Sequence, residues 1–297
     1  RLHRRDRRAV LYLLAVPSSQ FLKGVNFMSV IQADHLTLSY GKKPVFADLN
    51  LHIPKGKITV FIGSNGSGKS TLLRSLARLI KPQHGTIILD GESIAKLPTK
   101  EVARRLAILP QGPVAPEGLT VLQLVKQGRY PYQSFLQQWS AEDEKMVKQA
   151  LEVTRMEEFS NRPVDSLSGG QRQRAWIAMT LAQNTPTILL DEPTTYLDMT
   201  HQIEILDLLY DLNEQENRTI VMVLHDINLA CRYAHHVIAV KEGEIYASGA
   251  PEEIVNEKLI KQVFNMECQV TVDPIFGTPL CIPYGKGRKV RTPVFSG

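Results

Sequence analysis

The nine-residue segment GSNGSGKST, residues 63–71, constrains the fold of this chain more than any other part of the sequence. Directly before it lies the apolar, β-branched run Ile58–Ile62, which is typical of a strand buried on both faces. Directly after it, apolar residues recur at helical spacing: Leu72, Leu73, Leu76, Leu79 and Ile80. The sequence therefore predicts a strand, a glycine-rich turn and a helix in direct succession.

The turn has the composition of a phosphate-binding loop. Gly63, Gly68, Lys69 and Ser70 fit the pattern G-x-x-x-x-G-K-[ST] in the context that this pattern requires. Glycines let backbone N–H groups converge on phosphate oxygens, Lys69 can neutralise the β- and γ-phosphates, and the Ser70 hydroxyl can ligate Mg²⁺. The segment, called the phosphate loop below, predicts a nucleoside triphosphate site formed by Gly63, Ser64, Asn65, Gly66, Ser67, Gly68, Lys69, Ser70 and Thr71.

Two further apolar runs end in residues suited to phosphate chemistry. TILLDEP, residues 187–193, contains Asp191 and Glu192 at the carboxyl end of a predicted strand, where open α/β sheets form their ligand crevice. We expect Asp191 in the Mg²⁺ shell and Glu192 to polarise a water in line with the γ-phosphate. TIVMVL, residues 219–224, is followed by His225, which places an imidazole on the same edge.

A pair of glycines opens another predicted helix. LSGGQ, residues 167–171, precedes RQRAWIAMTLAQ, whose apolar residues recur at helical spacing. Such a helix N-terminus is a second anion-binding end. We call residues 167–171 the signature segment.

The charge distribution argues against a nucleic-acid partner. The chain carries a net charge of +5, but residues 1–27 alone contribute +5 through six basic residues and one acidic residue. The last thirteen residues contribute +4, which leaves residues 28–284 at −4. That central part has no basic excess to neutralise a phosphate backbone.

Cysteine usage and the amino-terminal segment both bear on the compartment. The three cysteines lack C-x-x-C spacing, which disfavours a disulfide framework or a zinc site and favours a reducing cytosol. Residues 1–27 join RLHRRDRR to AVLYLLAV and so imitate a signal peptide, but the apolar run is shorter than the ~20 residues of a membrane-spanning helix. We expect a non-native or disordered extension with Met28 as the natural start, rather than a membrane-surface anchor. Residues 285–297 show no periodicity and predict a mobile tail.

Together these motifs resemble the ATP-binding cassette family, the motor subunits of ABC transporters, from about residue 30 to about residue 283. The phosphate loop matches the Walker A motif, the signature segment matches the family signature, and Asp191 and Glu192 match Walker B with its catalytic glutamate. The other matches are the adenine-stacking aromatic Tyr40, the Q-loop glutamine Gln111, the D-loop residues Leu197 and Asp198, and the switch histidine His225.

The resemblance implies an α/β fold with a P-loop NTPase core, a mostly parallel sheet with flanking helices. It also implies an antiparallel β subdomain and a helical subdomain at about residues 112–170, all within a domain of residues 28–284. The helical subdomain would contain residues 121–124 and the helix around Ala141–Val153, and would contact a membrane-spanning permease. From its residues alone, SAEDEK at residues 140–145 predicts a capped, solvated helix start.

The resemblance further implies a head-to-tail homodimer that holds two ATP molecules between the phosphate loop of one subunit and the signature segment of the other. The residues favour the same assembly, because one chain has one complete phosphate loop and a second anion-binding helix end, the signature segment. A symmetric pair of such chains would be a closed dimer. The implied roles are catalysis for Glu192, His225, Gln111 and Lys69, metal binding for Ser70, Gln111 and Asp191, and nucleotide contact across the interface for Ser168, Gly169, Gly170, Gln171 and Asp198.

Three segments narrow the transported substrate. GRYPY (residues 128–132), TTYLDMTHQ (194–202) and DPIFGTPLCIP (273–283) resemble bacterial importer ATPases that serve ferric siderophores. These residues cannot touch the substrate, so haem and cobalamin import stay open, and GRYPY can also be an ordinary aromatic turn. The expected system is a peripheral ATPase at the cytoplasmic face of the membrane, docked on a permease. A substrate-binding lipoprotein or periplasmic protein would deliver the substrate to that permease.

A soluble ABC protein acting on ribosomes or DNA is the candidate from another class. Such proteins usually carry two cassettes or a long coiled coil, whereas this chain has one cassette and no sustained heptad repeat. A GTP-dependent switch is disfavoured because no N-K-x-D motif occurs.

Overall fold

The computed structural model describes residues 29–40, 43–134, 139–195 and 197–287. The strands are β1 (Ser29–Tyr40), β2 (Lys43–Pro54), β3 (Ile58–Ile62), β4 (His84–Leu89), β5 (Glu92–Ser93), β6 (Leu106–Leu109), β7 (Thr187–Leu190), β8 (Thr219–Val223), β9 (His236–Lys241), β10 (Glu244–Gly249), β11 (Cys268–Val272) and β12 (Pro279–Pro283). The helices are α1 (Lys69–Leu76), α2 (Thr99–Arg105), α3 (Val121–Gln127), α4 (Ala141–Val153), α5 (Gly169–Ala182), α6 (Met199–Glu216), α7 (Ile227–Tyr233), α8 (Pro251–Ile254) and α9 (Glu257–Phe264). The expected amino-terminal extension with Met28, Tyr196 of the TTYLDMTHQ segment, and the tail from residue 288 lie outside the described residues.

A mostly parallel sheet forms the centre of the molecule. Within the described residues its strand order is β10-β9-β3-β8-β7-β6, and only the pairing of β10 with β9 is antiparallel. Every residue of β3, β7 and β8 is buried. Their uninterrupted apolar sequences follow from this position, because both faces of the sheet are covered.

The side chains of β3 alternate between two hydrophobic cores. On one face of the sheet, Ile58, Val60 and Ile62 pack with α5, α6 and the helices between Gln111 and the signature segment. On the other face, Phe61 packs with α1 and a second, antiparallel sheet. That second sheet has the order β2-β1-β4-β5. Helix α1 is therefore held between the two sheets, and the loop preceding it is fixed at both ends.

The segment between Gln111 and the signature segment is helical. Helices α3, α4 and α5 share one core that includes Val121, Leu151 and Trp176, and short 3₁₀ helices cover Tyr130–Tyr132, Glu157–Phe159 and Val164–Ser166. The expected fold class is confirmed: a P-loop-type α/β core accompanied by an antiparallel sheet and a helical part. Among the described residues, no helix combines the length and the hydropathy that crossing a membrane would need.

Helix α1 ends earlier than its apolar spacing predicts. It stops at Leu76, and Arg78 adopts a left-handed backbone with φ 60°. The Arg78 guanidinium donates to the carbonyl oxygens of Ile94 (3.0 Å) and Leu97 (2.6 Å), which secures this turn. Leu79 consequently lies outside the core and is 58% exposed.

Candidate nucleotide-binding site

The backbone of the phosphate loop adopts conformations that favour glycine. Gly63, Gly66 and Gly68 have φ values of 151°, 77° and 104°. A Cβ atom at Gly63 would lie 2.2 Å from the carbonyl oxygen of Val240, whereas no atom lies within 4 Å of a Cβ built at Gly66. The loop is packed tightly at its start and open at its middle, where a ligand can approach the backbone.

Lys69 lies folded inside this loop. Its Nζ donates to the carbonyl oxygens of Gly63 (2.9 Å) and Ser64 (2.8 Å) and lies 3.4 Å from Ser67 Oγ. Burial lowers the pKa of Lys69, while the negative charges of Glu192 and Asp191 act in the opposite direction. Among the described residues, the hydrogen-bond acceptors of the Lys69 ammonium group are all neutral, and phosphate oxygens can replace them.

Three adjacent strands bring the predicted catalytic residues together. Strands β3, β8 and β7 are neighbours, so the phosphate loop, His225 and Glu192 follow them at one edge of the sheet. Gln111 Nε2 donates to Glu192 Oε2 (2.7 Å), and His225 Nε2 lies 2.7 Å from Glu192 Oε1. The sequence-predicted trio of Gln111, Glu192 and His225 is thus one contact cluster.

The environment of Glu192 keeps its carboxyl group ionised. Burial disfavours the charge, but contacts with Thr195, His225 and Gln111 outweigh burial and lower the pKa of Glu192. Thr195 Oγ1 donates to Glu192 Oε2 at 2.9 Å. The result is a carboxylate of fixed orientation, which is what the positioning of an attacking water requires.

Asp191 has the properties of a metal-binding carboxylate. Its side chain is fully buried, and Oδ2 lies 3.3 Å from Arg74 Nε. Oδ1 has no hydrogen-bond partner among the described residues. A buried, unpaired carboxylate oxygen fits Mg²⁺, and so do the hydroxyl and amide oxygens that Ser70 and Gln111 offer, because this ion prefers oxygen ligands.

The signature segment forms a second, separate helix end. Ser168 caps α5 by accepting from the Gln171 backbone N–H (3.3 Å), and Gln171 Oε1 accepts from the Ser168 N–H (3.1 Å). Ser168 and Gly169 are exposed, whereas Gly170 is buried. Within the described residues, no hydrogen bond or ion pair joins this segment to the phosphate loop of its own chain.

Asp198 caps the neighbouring helix α6. Its Oδ1 accepts from the His201 backbone N–H at 2.9 Å and lies 2.7 Å from His201 Nδ1. Hydrogen bonds from the backbone and side chain of His201 lower the pKa of Asp198. Leu197, which precedes Asp198, is buried in the hydrophobic core that includes α5 and α6. The backbone of Tyr40 ends β1, but its side chain, expected to stack on adenine, is not among the described parts of the structure.

Three residues that contact the predicted set were missed by the sequence reasoning: Arg74, Thr195 and His201. Arg74 follows Ser70 by four residues, and His201 follows Asp198 by three, so helical periodicity would have placed each pair on one face. The sequence contains no comparable signal for Thr195, whose contact depends on the turn after Glu192.

Comparisons with known proteins identify the family of this chain. The family model for ABC transporters matches residues 46–195. A probable siderophore transport system ATP-binding protein of Bacillus subtilis is 70% identical over 261 residues, covering 88% of this chain and 95% of that protein. A petrobactin import ATP-binding protein of Bacillus anthracis is 68% identical over 264 residues, covering 89% and 97%.

Solved structures give the same result for the fold. An inward-facing putative metal-chelate type ABC transporter matches with a TM-score of 0.75 and 28% identity, over 87% of this chain and 98% of that chain. A bacterial ABC transporter cassette solved as a dimer matches with a TM-score of 0.67 and 32% identity, over 74% and 98%. From its motifs, its fold and these relatives, the chain belongs to the ABC transporter family as an ATP-binding ATPase subunit.

Proposed function

We propose that this protein is the ATP-hydrolysing motor of a bacterial importer for ferric siderophores. The observation that carries ATP hydrolysis is the convergence of Gln111, Glu192 and His225 beside the phosphate loop. The siderophore assignment is supported by kinship, since the relatives described above are named for siderophore and petrobactin transport. The segments GRYPY, TTYLDMTHQ and DPIFGTPLCIP support the same assignment.

In this proposal the residues around the phosphates divide the work. Lys69 leaves the loop carbonyls to bind the β- and γ-phosphates, and the backbone N–H groups of residues 63–71 hold the remaining oxygens. Glu192 orients the attacking water, while His225 and Gln111 hold Glu192 and sense the γ-phosphate. Ser70, Gln111 and Asp191 would hold Mg²⁺, which neutralises developing negative charge when bound. Tyr40 would stack on adenine.

The proposed assembly is a head-to-tail homodimer. Ser168 and Gly169 are exposed and lack contacts with the phosphate loop of their own chain, which leaves them available to a partner's nucleotide. Two phosphate-binding ends facing in this way generate two equivalent sites in a closed pair. ATP would join the subunits, and hydrolysis would release them.

The motor would act on a separate integral permease at the cytoplasmic face of the membrane. Helices α3 and α4 would contact that permease, and Gln111, which precedes them, would carry the contact to Glu192. A substrate-binding lipoprotein or periplasmic protein would supply the permease with cargo. No nucleic acid takes part.

Uptake measurements test this function directly. Cells lacking the protein are given radiolabelled iron bound to a panel of siderophores, and are complemented with the wild type or with Glu192→Gln. We expect uptake of at least one ferric siderophore to return with the wild type and not with the variant. Restored haem or cobalamin import, with ferric siderophore uptake unaffected throughout, would reassign the cargo and leave the motor role intact.

A further inference from the structure

His201 lies where the two helix ends α5 and α6 meet. A Cβ atom built at Gly170 would lie 3.0 Å from His201 Cδ2 and 3.2 Å from His201 Cγ, so the imidazole ring packs directly on the signature segment. Gly170 has no positive φ that would itself require glycine. The His201 ring therefore leaves little room for a side chain at position 170.

The same ring is fixed from its other side by Asp198. Asp198 Oδ1 accepts a hydrogen bond from the His201 backbone N–H (2.9 Å) and lies 2.7 Å from His201 Nδ1. The Asp198 side chain is 67% exposed, and an exposed side chain with fewer contacts would exchange between rotamers. His201 thus both restrains Asp198 and packs on Gly170.

Ionic contacts join the same two helices one turn deeper. Arg174, four residues after Gly170, pairs with Glu204, three residues after His201. Arg155, which follows α4, lies 3.8 Å from the other oxygen of Glu204. Arg174 and Glu204 therefore join α5 and α6 independently of His201, which contacts their N-terminal ends.

We propose that His201 is a positioning residue that makes Asp198 and the signature segment a single rigid surface for the partner subunit's nucleotide. This inference rests on the proposed homodimer. In it, His201 acts through Asp198 and Gly170 and does not touch ATP. Without His201, the positions of Asp198 and of the signature segment vary independently. The partner's ATP is then bound more weakly, while nucleotide binding by the chain's own phosphate loop is unaffected.

The first test measures ATP-dependent dimerisation in the hydrolysis-deficient Glu192→Gln background. Size-exclusion chromatography with light scattering gives the ATP concentration for half-maximal dimer, and a fluorescent ATP analogue gives nucleotide affinity of the monomer at low protein concentration. We expect His201→Ala to raise the first value about tenfold and to change the second by less than twofold. His52→Ala, which removes an exposed histidine in β2, serves as the matched control.

The second test separates packing from hydrogen bonding by rescue. Gly170→Ala alone should impair dimerisation because its methyl group meets the His201 ring. Gly170→Ala combined with His201→Ala should dimerise better than Gly170→Ala alone, since the methyl group then fills the vacated space. His201→Asn, which can still donate to Asp198, should recover more of the dimer than His201→Ala.

These outcomes also separate this inference from the proposed function. If Glu192→Gln itself forms no ATP-dependent dimer, the homodimer proposal fails. If that dimer forms and His201→Ala leaves its ATP dependence unchanged, the role of His201 is refuted alone. Absence of rescue in the double variant, or equal loss of monomer nucleotide affinity, would likewise refute it.

Discussion

Glu192 shows how neighbouring side chains orient one carboxylate and keep it ionised. It has a left-handed backbone with φ 55°, and its side chain is 11% exposed. Three side chains from different parts of the chain, Gln111, Thr195 and His225, contact its two oxygens. These contacts fix the orientation of the carboxylate beside the phosphate loop.

Replacing Glu192 with Gln should abolish hydrolysis without loss of ATP binding. The amide keeps the size of the side chain but cannot accept a proton, and general-base catalysis typically contributes 10²–10⁴-fold to a rate. We expect turnover to fall at least a hundredfold, measured by phosphate release, with nucleotide affinity within threefold of the wild type. Glu244→Gln, in an exposed strand position, is the control. Normal turnover in Glu192→Gln would remove this residue from the role of base.

At this scale the sequence predicted the residues at strand ends but not their supporting contacts. Glu192 and His225 could be located because each follows an apolar run, and parallel strands end at one edge. The pairing of Arg74 with Asp191 was not predicted, since it joins residues 117 positions apart and depends on how α1 packs on the central sheet. Asp143 was expected to be solvated, but this was wrong, since the residue is only 4% exposed. The expectation failed because the segment SAEDEK gives no sign of the partner of Asp143, which is Arg129.

Among the structural elements, the turn from β3 to α1 contains two glycines that differ in the space around them. Gly63 combines positive φ with a close backbone neighbour, whereas Gly66 has positive φ and free space. The two positions therefore separate the cost of backbone strain from the cost of a clash.

Gly63→Ala should destabilise the protein more than Gly66→Ala. An alanine with positive φ costs about 1–2 kcal/mol, and this is the whole expected effect at Gly66. At Gly63 the methyl group would also displace the carbonyl of Val240, which raises the expected loss to about 3 kcal/mol or more. Urea unfolding of both variants measures the difference, and equal losses would contradict the close approach of β9 to the loop.

Helix α4 is joined to the GRYPY segment by a buried ion pair. Arg129 Nε donates to Asp143 Oδ1 at 2.8 Å, and Arg129 also donates to the carbonyl oxygen of Ala182 at 2.9 Å. The Arg129 guanidinium lies 3.9 Å from the ring centroid of Tyr132. The segment that resembles siderophore importers thus has a structural role: it fixes α3, α4 and α5 relative to one another.

Breaking this pair should destabilise the helical part strongly. Arg129→Met leaves Asp143 buried without its counter-ion, at a cost of about 3–5 kcal/mol, and Arg129→Met with Asp143→Leu should recover much of that loss. Burial opposes ionisation of Asp143, but hydrogen bonds from Arg129 and Ser140 lower its pKa below 3.8. The stabilisation is therefore complete above pH 3.8 and is lost as the pH falls through the folded-state pKa.

Urea unfolding between pH 3 and pH 7 provides the measurement for this pair. The unfolding free energy of the wild type should fall more steeply below pH 3.8 than that of the double variant, which has no carboxyl group at position 143. Parallel curves would show that Asp143 does not contribute to the acid sensitivity.

On the scale of the whole molecule, the carboxy-terminal hairpin of β11 and β12 is held by α7, the helix that follows His225. Asn228 accepts from the Cys281 N–H (2.7 Å) and donates to the Cys281 carbonyl (3.1 Å). Arg232 binds Asp273 (3.0 Å) and lies 4.1 Å from the centroid of the Phe276 ring. Helix α7 begins two residues after His225, so the same helix contacts the hairpin and directly follows the predicted site histidine.

Asn228→Ala should loosen the hairpin while leaving the central sheet intact. Strands β11 and β12 form a two-stranded sheet, and such a hairpin is marginally stable without outside contacts. Losing both hydrogen bonds should accelerate amide exchange in residues 268–283 about tenfold or more, corresponding to about 1.4 kcal/mol. Hydrogen exchange with mass spectrometry measures this, and an equal acceleration in β3 and β8 would indicate global destabilisation instead.

The apolar character of β7 has a consequence for assembly. All four of its residues are buried, so sliding β7 by one residue along β8 would exchange its two faces without exposing any apolar side chain to water. Such a slip would exchange the sides of the sheet towards which Asp191 and Glu192 point, so Glu192 would lose its contacts with Gln111 and His225. The register of β7 between β6 and β8 therefore decides whether the carboxylates that follow this strand meet their partners.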